Sequence, residues 1–178
     1  MHQTEGNSIM INKHYSIIFS SVTGNTKLLA TAIHNALPQE NCDYFGTSSD
    51  MENPTSELLF IGFWTDKGTA DENTLNLLKT LQNKKIFLFG TAGFDGSEEY
   101  YQKILTTTKE SIDASNTIVG EYMCQGKMPL SVKERYVKMI EEHGHKPNLD
   151  ALLENFDSAL SHPDANDLEK LKELVAAQ

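Results

Sequence analysis

The apolar residues of this chain fall into short continuous runs, which are separated by longer stretches with helical spacing. Three runs, 15–20 (YSIIFS), 58–64 (LLFIGFW) and 85–90 (KIFLFG), are β-branched or aromatic and do not alternate with polar residues. This pattern is typical of strands that are buried on both faces of a sheet. Strand patterns also occur at 116–124 (NTIVGEYMC) and, more weakly, at 42–46 (CDYFG). We therefore expect five strands.

A helix is predicted after each of the three buried runs. The first covers residues 25–37 and stops before Pro38, which cannot continue a helix. Thr69 and Glu72 have the spacing of a capping box for the second helix. The third helix carries four residues on one face, namely Tyr101, Ile104, Leu105 and Thr108.

Strands that alternate with helices predict a doubly wound α/β domain, in which an open, parallel, five-stranded sheet has helices on both faces. Beyond Cys124 the strand pattern stops, and extra C-terminal helices are predicted. Ser131 and Glu134 are spaced to cap the first of them, Asn148 begins the second, and residues 164–176 form the last. We expect this helical segment to pack on the same sheet.

The chain length fits one domain. A domain has about 150 residues, and the chain has 178. Residues 1–13 are polar without periodicity, which predicts a flexible N-terminal extension before a domain over residues 14–178. No apolar run reaches the ~20 residues of a membrane span, and no secretion signal is visible. The two cysteines, Cys42 and Cys124, are too few for a disulfide framework, so we expect a cytoplasmic protein with reduced thiols.

The charge balance limits the choice of partner. Lys and Arg number 15 and Asp and Glu number 25, so the net charge is −10. A protein with this charge repels nucleic-acid phosphates and anionic lipid headgroups. We therefore expect no nucleic acid and no membrane as a partner, whereas a protein with a basic face is favoured.

The loop after the first strand has the residues of a phosphate site. Ligands of open α/β sheets bind at the carboxyl ends of the strands, and here the chain reads SSVTGNT before a predicted helix. Backbone N–H groups and the helix dipole attract an anion there, and hydroxyl groups add neutral donors. No Lys or Arg precedes the helix, which favours a phosphomonoester over a triphosphate with magnesium. An ordinary turn rich in Ser and Thr is the alternative. The candidate cofactor-binding residues are Ser20, Ser21, Val22, Thr23, Gly24, Asn25 and Thr26.

The string IFSSVTGNT at 18–26, with Ala30 four residues on, resembles the FMN phosphate loop of flavodoxins. The resemblance covers most of residues 15–124. It implies noncovalently bound FMN and a flavodoxin-like fold with strand order 2-1-3-4-5, in which the cofactor lies where the winding reverses. Val22 stands where that family often has a hydroxyl residue.

The resemblance also implies that the loop WTDKGT at 64–69 contacts the flavin. Flavodoxins place an aromatic side chain from this region against the flavin ring, and Trp64 is the candidate here, although a tryptophan at a strand end can instead close the core. Gly68, or the Lys67–Gly68 peptide, is expected to provide the carbonyl that meets flavin N5–H, since glycine tolerates both backbone orientations. The candidates in this loop are Trp64, Thr65, Asp66, Lys67 and Gly68.

A third loop, GTAGFDGS at 90–97, follows the next strand. Its small residues let backbone N–H groups approach a planar ring closely, and the resemblance implies contacts from this loop to the pyrimidine edge of the flavin. Many flavodoxins have a stacking tyrosine in this loop, and Phe94 is the nearest aromatic residue here. The candidates are Thr91, Ala92, Gly93, Phe94 and Asp95.

Three further strings are similar to one branch of flavodoxin-type proteins. They are GFWTDKGT (62–69), CQGKMP (124–129) and SHPDANDLEK (161–170). The branch comes from anaerobic, mostly Gram-positive bacteria, and some of its members are linked to reductases that act on tetrapyrroles such as bilirubin. A tetrapyrrole reductase is therefore a candidate redox partner. The strings themselves indicate only packing or partner docking.

We interpret the sequence as that of an FMN-binding electron carrier that delivers electrons to a partner reductase. The main alternative is an FMN-dependent enzyme that reduces a quinone with NAD(P)H, and a flavin-free scaffold is the third. Neither GxGxxG nor a P-loop is present, and neither cysteine has a nearby His in sequence. His143 and His145 lack the spacing of a metal site, so no metal is expected.

Overall fold

The fold was analysed in a computed structural model that describes residues 13–178. The predicted N-terminal extension, apart from Lys13, lies outside the described residues. The strands are β1 (Tyr15–Phe19), β2 (Cys42–Thr47), β3 (Leu58–Asp66), β4 (Thr69–Ala70), β5 (Lys85–Ala92) and β6 (Thr117–Gln125). The helices are α1 (Asn25–Ala36), α2 (Glu72–Thr80), α3 (Glu98–Lys109), α4 (Leu130–His143), α5 (Pro147–Ala159) and α6 (Ala165–Ala176).

Five strands form a parallel sheet in the order β2-β1-β3-β5-β6. The short strand β4 pairs only with the end of β3 and is antiparallel to it. All five residues of β1 are buried because the strand lies inside the sheet and both of its faces are covered. The predicted fold class and the strand order implied by the flavodoxin resemblance are confirmed.

Helices cover both faces of the sheet, as the doubly wound prediction requires. Leu78 of α2 and Ile104 of α3 pack on one face together with Ile61 of β3. On the other face, Leu29 of α1 and Leu171 of α6 join a cluster of aromatic strand residues, which are Tyr15, Phe19, Phe60, Phe87 and Phe89. The burial of these side chains fixes the positions of the loops at the carboxyl ends of the strands.

Three of the predicted helix starts are wrong, and one of them is Asn148, since α5 already begins at Pro147. Thr69 lies in β4 and does not cap α2, which begins after Asp71, whose carboxylate accepts from the backbone N–H of Thr74 at 3.2 Å. No side chain caps α4, because the helix already begins at Leu130, one residue before Ser131. At Thr69 and Ser131 the structure overrides the local capping pattern. The β3–β4 hairpin sets the start of α2, and Pro129 sets the start of α4.

The extra C-terminal helices divide into two groups. Helix α6 packs against α1 and β6, as predicted. Helices α4 and α5 pack on each other, and Tyr136 is the buried residue of α4. Helix α5 nevertheless reaches the sheet edge through the side chain of Asn155, which bonds to Gln125 of β6. Among residues 13–178, no helix combines the length and apolar character needed to cross a membrane.

Candidate functional site

A cleft with a volume of about 200 Å³ lies at the carboxyl ends of β1, β3, β5 and β6. This is the edge at which open α/β sheets bind their ligands. All three loops that the sequence singles out contribute to it, together with a fourth. The lining residues are Val22, Thr23, Asn25, Trp64, Thr65, Thr91, Gly93, Gly126, Lys127, Met128 and Pro129.

The β1–α1 loop presents a row of unpartnered backbone donors. The N–H groups from residue 21 to residue 26 donate to no acceptor among residues 13–178. Gly24 precedes α1 with φ of 90° and offers no side chain as a cap. Donors at the start of a twelve-residue helix, reinforced by its dipole, form a site for a phosphate group.

Four polar contacts hold this loop in place. The Thr26 hydroxyl is buried and lies 3.1 Å from both the carbonyl oxygen of Phe63 and the hydroxyl of Thr91. The backbone N–H of Ser20 donates to Gly62 at 3.0 Å, and the Ser21 hydroxyl accepts from the N–H of Lys27 at 3.3 Å. Ser20, Ser21 and Thr26 therefore shape the loop, while Val22 and Thr23 face the cleft.

Asn25 connects the loop to the opposite wall of the cleft. Its Nδ2 donates to the carbonyl of Lys127 at 2.8 Å. The residue is only 6% exposed, and its Oδ1 is buried without a partner among the described residues. A buried polar atom without a partner costs about 1–3 kcal/mol, so a ligand that donates a hydrogen bond there would remove this cost.

The second loop is a β-hairpin and not the open loop that was expected. Strand β3 continues to Asp66 and turns back into β4 through Lys67 and Gly68, which both have positive φ, at 52° and 84°. Trp64 and Thr65 line the cleft, and the Thr65 hydroxyl donates to the carbonyl of Thr91 at 2.8 Å. Asp66 pairs with Thr69 in the hairpin, and the exposed residues Lys67 and Gly68 form its tip outside the cleft lining.

Residues of the third loop separate into lining and supporting groups. Thr91 and Gly93 line the cleft, whereas Ala92 is buried in β5. The Phe94 ring is 55% exposed and lies 5.9 Å from the Tyr100 ring, outside the cleft lining. Asp95 accepts from the backbone N–H and hydroxyl of Ser97, at 3.0 Å each, and thereby shapes the turn into α3.

The fourth wall consists of residues 126–129 between β6 and α4, which were predicted to serve only packing or partner docking and not cofactor binding. A Cβ at Gly126 would lie 2.5 Å from Nδ2 of Asn25, so only glycine allows the two loops to approach this closely. The N–H of Lys127 also donates to the carbonyl of His162 at 3.0 Å. A glycine two residues after the predicted strand that ends at Cys124 was the available signal.

Larger cavities lie elsewhere. One of about 480 Å³ lies beside Lys13 and Lys85 at the amino ends of the strands, and one of about 570 Å³ follows the edge of β6. Neither includes the row of unpartnered donors before α1. In the second cavity, burial raises the pKa of the Cys124 thiol, and burial likewise raises that of Cys42. Both thiols stay protonated near neutral pH, which makes them weak nucleophiles.

One group of side chains has the spacing of metal ligands, but hydrogen bonds explain its arrangement. The ligand atoms of His162, Asp164 and Asp167 lie within 4.8 Å of one another. Asp164 and Asp167 form the capping box of α6, and the Nδ1 atom of His162 lies 2.6 Å from the Asp167 carboxylate. His143 and His145 lie near exposed carboxylates, at 3.9 Å from Glu142 and 2.9 Å from Asp150 respectively. We assign a metal to neither group.

The cleft can be tested against the cofactor that the sequence suggests. The row of backbone donors fits a phosphate monoester, and the unpartnered Oδ1 of Asn25 fits a neighbouring donor. The volume of about 200 Å³ is below the ~300–1,000 Å³ of pockets that enclose a whole cofactor. The cleft therefore fits the phosphate end of FMN and one face of a flat ring at its open rim.

A parallel, doubly wound sheet with unpartnered helix donors at its carboxyl edge indicates the class of this protein. A family model described as "Flavodoxin domain" matches residues 16–176, so the chain belongs to the flavodoxin-domain family. The flavodoxin resemblance seen in the sequence is confirmed.

Relatives and solved structures agree with this assignment. The chain is 37% identical to a "Flavodoxin-like domain-containing protein BilS" from Clostridium symbiosum. The alignment covers 86% of this chain and 90% of the relative. A protein with the same description from Clostridioides difficile is 32% identical and covers 85% and 88%. An oxidised flavodoxin 2 from Bacillus cereus, 15% identical, superimposes with a TM-score of 0.58 over 92% of this chain and 96% of its own. That structure supports the fold.

The hairpin tip gives a testable prediction. Gly68 has φ of 84°, a conformation that a β-branched residue adopts only with strain. We expect Gly68→Val to lower the free energy of unfolding in urea by about 1–2 kcal/mol. The adjacent Lys67→Gly is the matched control, since glycine suits φ of 52°, and it should cause no such loss. Equal stability of Gly68→Val and the parent protein would contradict the hairpin geometry.

Proposed function

We propose that this chain binds FMN without a covalent bond and carries electrons to a separate reductase. The row of unpartnered N–H groups before α1 is the observation that carries the proposal. Membership of the flavodoxin-domain family supports it independently. When bound, FMN supplies the electron-accepting and electron-donating chemistry, so the protein needs no activated nucleophile of its own.

The residues of the cleft would divide the work of binding. Backbone donors from residue 21 to residue 26 and the Thr23 hydroxyl would hold the phosphate. The half-buried Trp64 side chain would cover a face of the ring, and the Thr65 hydroxyl, bonded to Thr91, holds the end of β3 beside it. Met128 and Pro129 would exclude water from the opposite side.

The partner would be recognised by its charge. A net charge of −10 attracts a basic docking face at long range, and salt screens this attraction within about 8 Å at physiological ionic strength. Two exposed apolar side chains, Val22 at 69% and Leu130 at 65%, lie at or next to the cleft lining and would supply a short-range contact. We propose a reductase with a basic face as the partner, and the strings at 124–129 and 161–170 make a tetrapyrrole reductase the first one to test.

The phosphate assignment predicts that hydroxyl changes affect FMN and not riboflavin. A hydrogen bond to a charged group is worth about 1.5–3 kcal/mol, so Thr23→Val should weaken FMN binding by about 10- to 150-fold and leave riboflavin unchanged. Val22→Thr adds a hydroxyl in the same loop and should strengthen FMN binding. Fluorescence titration with both ligands measures this.

Thr31→Val is the matched control for these changes, because the Thr31 hydroxyl on α1 bonds to the carbonyl of Lys27 away from the cleft. It should leave both affinities unchanged. An equal loss of affinity for FMN and riboflavin in Thr23→Val would contradict the assignment of the phosphate to this loop.

The carrier role predicts slow turnover without a partner. The FMN-loaded protein should consume NADPH or NADH only slowly with benzoquinone, since a carrier needs a reductase to load it. After chemical reduction it should reduce cytochrome c, a basic protein, at a rate that falls as salt rises, whereas its oxidation by uncharged benzoquinone should be independent of salt. Stopped-flow absorbance measures both rates. Rapid NAD(P)H consumption by the protein alone would favour the quinone-reductase alternative.

A further inference from the structure

The C-terminal helical segment contacts the cleft through the side chain of Asn155. Asn155 lies on α5, and its Nδ2 donates to two successive carbonyls of the β5–α3 loop, at 2.8 Å to Gly93 and 2.7 Å to Phe94. Its Oδ1 accepts from Nε2 of Gln125 at 2.8 Å. Both ends of the amide are therefore occupied, and the contacts define which end faces the loop.

These contacts fix the direction of two peptide groups. A trans peptide is planar, and its N–H points opposite to its C=O. The carbonyls of Gly93 and Phe94 point at α5, so the N–H groups of Phe94 and Asp95 point away from it. Neither N–H donates to an acceptor within residues 13–178. Two unpartnered donors that follow Gly93, which lines the cleft, are suited to carbonyl oxygens of a ring.

We propose that Asn155 is a positioning residue for ring binding: it holds the N–H groups of Phe94 and Asp95 in place for the polar edge of the bound flavin. The inference rests on the proposed FMN function. It gives α5 a role in the site, because this helix places the Asn155 amide where it donates to two carbonyls of the β5–α3 loop. Because Asn155 already holds the loop in the binding conformation, less conformational entropy would be lost when the ligand binds, and the affinity would be higher.

The same segment supports the neighbouring wall of the cleft. The carbonyl of His162, three residues beyond the end of α5, accepts from the N–H of Lys127 at 3.0 Å. The carbonyl of Lys127 in turn accepts from Asn25. Helix α5 and the turn that follows it therefore hold two of the four loops, the ring loop through Asn155 and the β6–α4 loop through His162.

Asn155→Asp is the sharpest variant. Aspartate has the same shape and can still accept from Gln125, but its carboxylate cannot donate and would face two carbonyl oxygens. Asn148→Asp makes the same chemical change at an exposed position on the same helix and is the matched control. Asn155→Ala is the second variant, which removes the amide without adding charge.

The experiment measures FMN and riboflavin affinities of the full-length chain by fluorescence, with circular dichroism as a check on folding. Both Asn155 variants should bind each ligand at least about tenfold more weakly, with an unchanged ratio of the two affinities, because the phosphate loop is unaffected. Asn148→Asp should match the parent protein. The infrared stretch of the flavin C2 carbonyl, labelled with ¹³C, should shift in Asn155→Ala and stay unshifted in Thr23→Val.

The possible outcomes separate the two claims. If the parent protein binds neither FMN nor riboflavin, the proposed function fails and this inference fails with it. If the parent binds FMN and folded Asn155 variants bind it as tightly as Asn148→Asp, the inference alone is overturned. A change in the ratio of FMN to riboflavin affinity, or an unshifted C2 carbonyl in folded Asn155→Ala, would also overturn it.

Discussion

The unpartnered N–H groups at the start of α1 are the constraint on which the carboxyl edge of this protein depends. A helix leaves its first donors without partners, and here no side chain or backbone carbonyl of the described residues supplies one. The surroundings keep the donors available: the Thr26 hydroxyl ties the loop to β3 and β5, and Gly126 lets the opposite wall come close enough to bond Asn25. In the proposed function, the phosphate group of FMN accepts from these donors.

Local and global electrostatics act in opposite directions at this site. The chain carries a net charge of −10 and has no Lys or Arg from residue 20 to residue 26, so a bound phosphate gains nothing from the average field. Donors within hydrogen-bond distance nevertheless dominate, because each contributes about 1.5–3 kcal/mol and charges beyond about 8 Å are screened. The acidic surface is then free to act at longer range, where we propose that it attracts a basic partner.

The sequence predicts most of the sheet and only part of the cleft. Apolar runs without alternation identify the three central strands, β1, β3 and β5, because burial on both faces leaves few polar positions. The position of Asn155 beside the cleft depends on contacts between distant segments, since 61 and 62 residues separate it from Phe94 and Gly93. Local spacing carries no signal for such pairs. The predicted capping box at Thr69 failed for a local reason, since the turn at Lys67 and Gly68 pairs Thr69 with Asp66 and places Thr69 in a strand.

The most direct test of the central claim is the absorption spectrum of the protein as purified from cells, followed by chromatography of the ligand released on denaturation. We expect the visible absorption bands of a flavin, and we expect the released ligand to be FMN at about one molecule per chain. A folded protein that carries FAD or riboflavin, or that remains colourless after incubation with excess FMN, would contradict it.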